Sequence, residues 1–304
     1  MDDDADCVIA VDNVSRRYGA KVALDRVSLS APAGTVVGLV GENGAGKTTL
    51  IKHILGLLKP QSGAVRVLGR NPAEDPVGVL SRLGYLSEEG DLPLWMRIDE
   101  LMRYAEAFYP TWDGNYADDL RREFALEPRA RLKNLSKGQR ARAGLMIALA
   151  YRPALLVLDE PSSGLDPIVR RDILGAIIRT IAGEGRTVLF SSHLLGEVER
   201  VSDRVAMIKS GRIVFCDTLD AIKESHHRMT WRLDTPRSSA PAFEDALTWD
   251  GGGREWTTLC SGKREHLEAA ATLAGARVVD YASPTLDEIF LARSGASAGP
   301  VLEE

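Results

Sequence analysis

Gly41-Glu42-Asn43-Gly44-Ala45-Gly46-Lys47-Thr48-Thr49 fits the pattern G-x-x-x-x-G-K-[ST] at every constrained position. The apolar run Val36-Val37-Gly38-Leu39-Val40 precedes it and predicts a buried strand. Leu50–Leu58 follows and predicts a helix. Strand, glycine loop and helix together are the context in which this pattern cradles phosphate. Glycines let the backbone curl around a cluster of negative charge, and the helix N-terminus adds partial positive charge. Lys47 is then expected to reach the terminal phosphates of a nucleotide, and the Thr48 hydroxyl to hold Mg²⁺.

Bulk properties bound the class. The chain has 304 residues, 44% hydrophobic and 27% charged, as expected of a globular protein with one large domain or two unequal ones. No apolar run approaches the ~18 residues of a membrane-spanning helix. The acidic start (Asp2, Asp3, Asp4, Asp6) lacks the basic region of a secretory signal. Cys7, Cys216 and Cys260 are widely spaced, which speaks against a disulfide framework or a zinc site and for a reducing compartment. The four N-terminal aspartates account for most of the net charge of −5. The body is therefore near neutral, and no nucleic-acid partner is expected.

Along the chain, Val8–Ala31 reads as short strands turning at Tyr18-Gly19-Ala20, and Ala64–Leu68 and Leu83–Ser87 as further strands. Residues 91–150 change character. Arg97–Phe108, Tyr116–Phe124 and Lys137–Ala150 have helical spacing, interrupted by Pro110 and Pro128. Strands return at Ala154–Leu158 and Thr187–Ser191, separated by a helix over Ile168–Ile181. The alternation predicts an α/β fold with a mostly parallel sheet, into which residues 91–150 are inserted. Thr235–Pro241 reads as a linker. Strands at Glu255–Leu259 and Arg277–Tyr281, with helices at Lys263–Leu273 and Thr285–Ala292, suggest a small α+β extension over residues 226–304, frayed from 294 onward.

Leu155-Leu156-Val157-Leu158-Asp159-Glu160 is an apolar strand ending in two carboxylates. Placed beside the phosphate-loop strand, it would bring Asp159 to Mg²⁺ and Glu160 to the attacking water. His193 closes a second apolar strand, as a capping residue or as a donor to the γ-phosphate. Leu135-Ser136-Lys137-Gly138-Gln139 opens a helix with Ser136 as N-cap, and a free helix N-terminus is also an anion site.

In this order the motifs resemble the ATPase subunits of ABC transporters over residues 8–225. Residues 41–48 match Walker A, and Leu155–Asp159 matches Walker B. Glu160 falls at the catalytic glutamate, Leu135–Gln139 at the LSGGQ signature, Ser163–Asp166 at the D-loop and His193 at the switch histidine. Tyr18 falls where an aromatic stacks on adenine. The resemblance implies a P-loop NTPase with an antiparallel β subdomain and a helical insertion. It assigns Tyr18, Gly41, Asn43, Gly44, Ala45, Gly46, Lys47, Thr48 and Thr49 to ATP. It also gives Ser136, Lys137, Gly138 and Gln139 to the ATP held by a second, head-to-tail ATPase subunit, identical or paralogous. A separate integral membrane permease is implied, with this chain at the cytoplasmic face of the membrane. Phe108–Asp113 and Leu286–Leu291 resemble exporters of drugs, antibiotics or lipids. A soluble relative acting in translation or DNA repair is the competing reading, against which stand the single nucleotide unit and the short insertion.

Two residues depart from the family pattern. Lys137 stands where the signature has Gly, either as a solvated side chain or as an added attraction for the partner's nucleotide. Glu88 stands where the family has a Gln that touches Mg²⁺. A carboxylate ligates Mg²⁺ but repels phosphate, so charge and geometry oppose each other. Leu92, Leu94, Trp95 and Met96 follow, either as core or as a surface for the permease.

Overall fold

The computed structural model describes residues 7–88 and 91–294. Two 12-residue strands, β1 (Cys7–Tyr18) and β2 (Lys21–Pro32), open the chain. They are longer than the pattern suggested and turn at Gly19-Ala20, with Tyr18 paired to Lys21. Strand β3 (Val36–Val40) is buried throughout and leads through the glycine loop to helix α1 (Lys47–Ile54). Strand β4 (Ser62–Val67) returns to β1, giving an antiparallel sheet ordered β2-β1-β4.

Helix α2 (Pro76–Leu80) is capped by Asp75, whose carboxylate accepts from the Gly78 N–H. Strand β5 (Leu83–Leu86) follows, and then the three helices of the insertion: α3 (Ile98–Glu106), α4 (Gly114–Glu123) and α5 (Lys137–Ala150). Strand β6 (Leu155–Asp159), helix α6 (Pro167–Glu184), strand β7 (Thr187–Ser192), helix α7 (Leu195–Val201), and strands β8 (Arg204–Lys209) and β9 (Arg212–Thr218) complete a six-stranded sheet. Its order is β5-β6-β7-β3-β8-β9, and the strands from β5 to β8 in that order pair in parallel.

That order corrects one expectation. β6 does not lie beside the phosphate-loop strand, because β7 sits between them, pairing Val40 with Ser192 on one side and Ser191 with Asp159 on the other. Both candidates are continuous apolar runs, fully buried on both faces, and such runs carry no information about which neighbour they take. Helix α7, at seven residues, is too short to show a helical period. Gly38 is what lets it lie on β3. A Cβ there would stand 2.4 Å from Val198 Cγ1 and 2.6 Å from Ser202 Oγ.

The chain divides into two compact units at Cys216/Asp217, earlier than the boundary placed at 225, and helix α8 (Leu219–Glu224) goes with the second unit. There, β10 (His226–Arg237), β11 (Ala246–Ser261) and β12 (Ala276–Ala282) form an antiparallel sheet ordered β11-β10-β12. Helices α9 (Arg264–Leu273) and α10 (Leu286–Ser294) complete it. Thr235, Pro236 and Arg237 belong to β10 and not to a linker. The register slips between Arg232 and Arg237, and such an irregularity tolerates a proline with no N–H to give. The frayed end expected after residue 294 lies outside the described residues. Trp231 anchors this core, 5.1 Å from both Phe243 and Trp249.

His226 is buried in the same unit. Its Nδ1 lies 2.7 Å from the Ile222 carbonyl oxygen and must donate. Nε2 then accepts from Arg293 Nη2 at 3.0 Å, which requires a neutral ring. Burial, above all, lowers the pKa of His226, with Arg293 and His227 adding to the effect, and burial likewise lowers that of His227. The unfolded chain therefore takes up these protons first. Stability is present above about pH 6.5 and is lost as pH falls from there toward the lowered folded values. Tryptophan fluorescence reports mainly on this unit, since Trp231, Trp249 and Trp256 lie in it. Its melting point is expected to drop between pH 7.5 and 5.5, and His226→Gln to flatten that dependence.

Candidate functional site

The glycine loop closes onto α1 through Gly46, whose φ of 118° favours a residue without a side chain. A Cβ at Gly46 would also sit 2.7 Å from the Ala23 carbonyl oxygen. The loop therefore stays against β2 and aims the start of α1 into a cavity of about 310 Å³. Tyr18, Asn43, Gly44, Gly46, Lys47, Thr48, Thr49, Glu88 and Glu160 all line it. Residues from the antiparallel sheet, the loop, the segment after β5 and the end of β6 thus meet in one cavity. Gly41 and Ala45 shape the loop without lining the cavity. Arg16 lies over the Tyr18 ring, its guanidinium carbon 5.0 Å from the centroid.

Lys47 is only 5% exposed. Its Nζ donates to the Gly41 carbonyl at 2.6 Å and stands 3.0 Å from Glu160 Oε1. The other oxygen of Glu160, Oε2, lies 2.7 Å from His193 Nδ1. A single buried carboxylate thus joins the loop lysine to the histidine at the end of β7. Glu160 adopts φ 49°, a left-handed conformation that is rare outside glycine. Its N–H donates to Ser191 Oγ at 2.9 Å, and that hydroxyl donates to Asp159 Oδ1 at 2.7 Å. Ser191, on the intervening strand β7, thus holds both residues at the end of β6.

Asp159 is buried and does not line the cavity, whereas Thr48 and Glu88 do. All three offer hard oxygen donors, the chemistry Mg²⁺ requires. A lysine ammonium, backbone N–H groups at the start of α1 and the cavity they share suit a polyphosphate. Glu88 is exposed and also lines a second cleft of about 610 Å³, together with Leu92, Leu94, Lys137, Arg140 and Glu160. Of the apolar residues nearby, Met96 is core, whereas Trp95 is 70% and Leu94 43% exposed. The core reading therefore holds for Met96 and not for Leu94 or Trp95.

Ser136 caps α5 as expected. Its Oγ accepts from the Gln139 N–H, and Gln139 Oε1 accepts from the Ser136 N–H, a reciprocal capping box. None of Ser136, Lys137, Gly138 or Gln139 lines the cavity of the glycine loop. Lys137 is exposed yet anchored, its Nζ donating to the Ser163 carbonyl at 2.7 Å. Neither sequence reading of Lys137 foresaw this, because Ser163 is distant in the chain. Sequence reasoning also missed Lys21 and Ala23 in the cavity wall, and Ser191. For Lys21 the signal was its place across a two-residue turn from Tyr18.

Comparison with known proteins identifies the family. A model described as "ABC transporter" matches residues 24–163, and an AAA-domain model matches residues 128–199. The chain is 32% identical to the daunorubicin resistance ATP-binding protein DrrA3 of Streptomyces coeruleorubidus, over 96% of this chain and 97% of that one. It is 30% identical to the bacitracin transport ATP-binding protein BcrA of Bacillus licheniformis, over 73% of each. A solved ATP-binding subunit of an ABC transporter shares 32% identity with a TM-score of 0.66, covering 71% of this chain and 92% of that chain. A dimeric bacterial ABC transporter cassette, at 23% identity and TM-score 0.63, shares the fold.

The Lys137 tether has a direct readout. An exposed lysine–carbonyl bond is worth about 0.5–1 kcal/mol, so Lys137→Met should speed amide exchange across residues 161–166 about threefold in nucleotide-free protein. Unchanged exchange would mean that the bond contributes nothing.

Proposed function

The chain belongs to the ATP-binding subunits of ABC transporters, and we propose that it works as one of two ATPase subunits that clamp two Mg-ATP between them and drive a separate membrane permease in export. It is an ATPase of the exporter-like group. The observation that carries the mechanism is the Glu160 carboxylate, buried between Lys47 and His193.

Without nucleotide, Lys47 neutralises Glu160. A triphosphate offers Lys47 a stronger partner, and the lysine turning to it releases Glu160 Oε1. That oxygen is then the base that takes a proton from the attacking water, while Oε2 keeps His193 oriented. Thr48 and Asp159 would hold Mg²⁺, with Glu88 as a further candidate ligand; the ion supplies charge neutralisation on the phosphate oxygens. Tyr18 offers its ring to the base.

The signature residues 136–139 lie outside this cavity, at the N-terminus of a 14-residue helix. An anion site so placed fits the nucleotide of a second subunit, with Ser136, Lys137 and Gly138 facing its γ-phosphate. No described helix is long and apolar enough to cross a membrane. Attachment to the cytoplasmic face of the membrane would then come through the permease. The cleft beside Glu88, lined by Leu92 and Leu94 and followed in the chain by the exposed Trp95, is the surface proposed for it.

Two experiments test this. Glu160→Gln should bind ATP, turn over at below about 1% of the wild-type rate and accumulate as an ATP-bound dimer in size-exclusion chromatography with light scattering. Wild-type turnover would remove Glu160 from its role. Trp95→Ala should retain ATP binding but lose co-purification with the permease from membranes; retained co-purification would count against this cleft.

A further inference from the structure

Glu197 lies four residues beyond His193, in the first turn of α7, and is only 7% exposed. Its carboxylate is not solvated. Ser162 Oγ, itself 1% exposed, donates to Glu197 Oε2 at 2.6 Å. Arg170 Nε, from α6, lies 3.0 Å from Glu197 Oε1. The three side chains form a polar link among α7, α6 and the segment that follows Glu160, buried at Ser162 and Glu197 and partly exposed at Arg170. Such a short, charge-assisted bond is among the stronger side-chain contacts, and its loss leaves buried groups unpaired.

The placement of the link is what gives it a role. Ser162 is two residues after Glu160, and α7 begins two residues after His193. The Glu160–His193 contact and the Ser162–Glu197 contact are therefore two rungs between the same pair of chain segments. The first rung is partly open to solvent, since the His193 side chain is 38% exposed. The second is closed to it. Strand β7 fixes the backbone on one side of His193, up to Ser192. On the other side the backbone follows α7, whose N-terminal turn is held by Glu197.

We propose that Glu197 is a positioning residue that holds His193 against Glu160, by binding the first turn of α7 to Ser162 and Arg170. It does not line the cavity of the glycine loop. The inference rests on the reading that Glu160 and His193 act in hydrolysis, and its test separates the two.

Steady-state ATPase kinetics and the His193 ring signals in NMR spectra would be measured on the full chain. Glu197→Ala should lower kcat about tenfold or more with little change in the KM for ATP, since displacement of a reacting group costs rate and not nucleotide affinity. Glu197→Gln keeps an oxygen that accepts from Ser162 and should recover most of the rate. In a His193→Ala background, Glu197→Ala should cost little further, because the residue it positions is gone. In nucleotide-free protein, Glu197→Ala should shift the His193 ring signals. Ser162→Ala should shift them in the same direction, and it carries the test should Glu197→Ala fail to fold.

Unmoved His193 signals in both variants would overturn the positioning role, whatever the kinetics. So would full multiplication of the two kinetic losses in the double variant. If His193→Ala itself left turnover intact while the ring signals moved as expected, the link would stand and the assignment of His193 to hydrolysis would fall.

Discussion

A carboxylate removed from water keeps its charge only beside a cation or hydrogen-bond donors, and Glu160 has both, Lys47 on one oxygen and His193 on the other. The rest of the site follows from that arrangement. The glycine loop must end where it does for Lys47 to arrive, and β7 must end at Ser192 for His193 to arrive. The left-handed turn at Glu160 costs roughly 1–2 kcal/mol by general sterics. It is retained because it turns the carboxylate away from the strand axis toward both partners, and Ser191 Oγ holds the N–H that the turn exposes.

The parts of this arrangement that were legible in the sequence are those encoded locally. The glycine loop, the capping box at Ser136 and Gln139, and the carboxylate pair at the end of an apolar run each occupy a few consecutive residues whose types have a direct physical meaning. Contacts made across the fold were not legible. Nothing in Thr187–Ser192 says that it comes between β6 and β3, since either apolar run would serve as the buried neighbour. The reach of Lys137 to Ser163 and of Glu197 to Ser162 depends on where helices settle after packing. Strand β10 escaped notice for another reason. Its first residues, His226, His227 and Arg228, are polar, and the burial of both histidines is a property of the folded sheet.

The second unit is held by different means. Three tryptophans and a phenylalanine supply large rigid surfaces to a core of few residues. Around it, polar contacts fasten the last helix: Arg293 to His226 and to Ser261, and Arg228 to Glu288. These bonds tie α10 to β10 and to the end of β11.

The order of the large sheet also bears on how the protein is made. Strand β3 pairs with β7 and β8, Val36 with Val188 and Val37 with Arg204. Both neighbours are synthesised long after it. At a ribosomal rate of about 5–20 residues per second, β3 waits on the order of ten seconds with both edges unpaired. During that wait it is an apolar strand whose two sheet edges are open to other chains. The cavity cannot acquire Glu160 or His193 before then either, so a nascent chain bears its phosphate loop well before it can consume nucleotide.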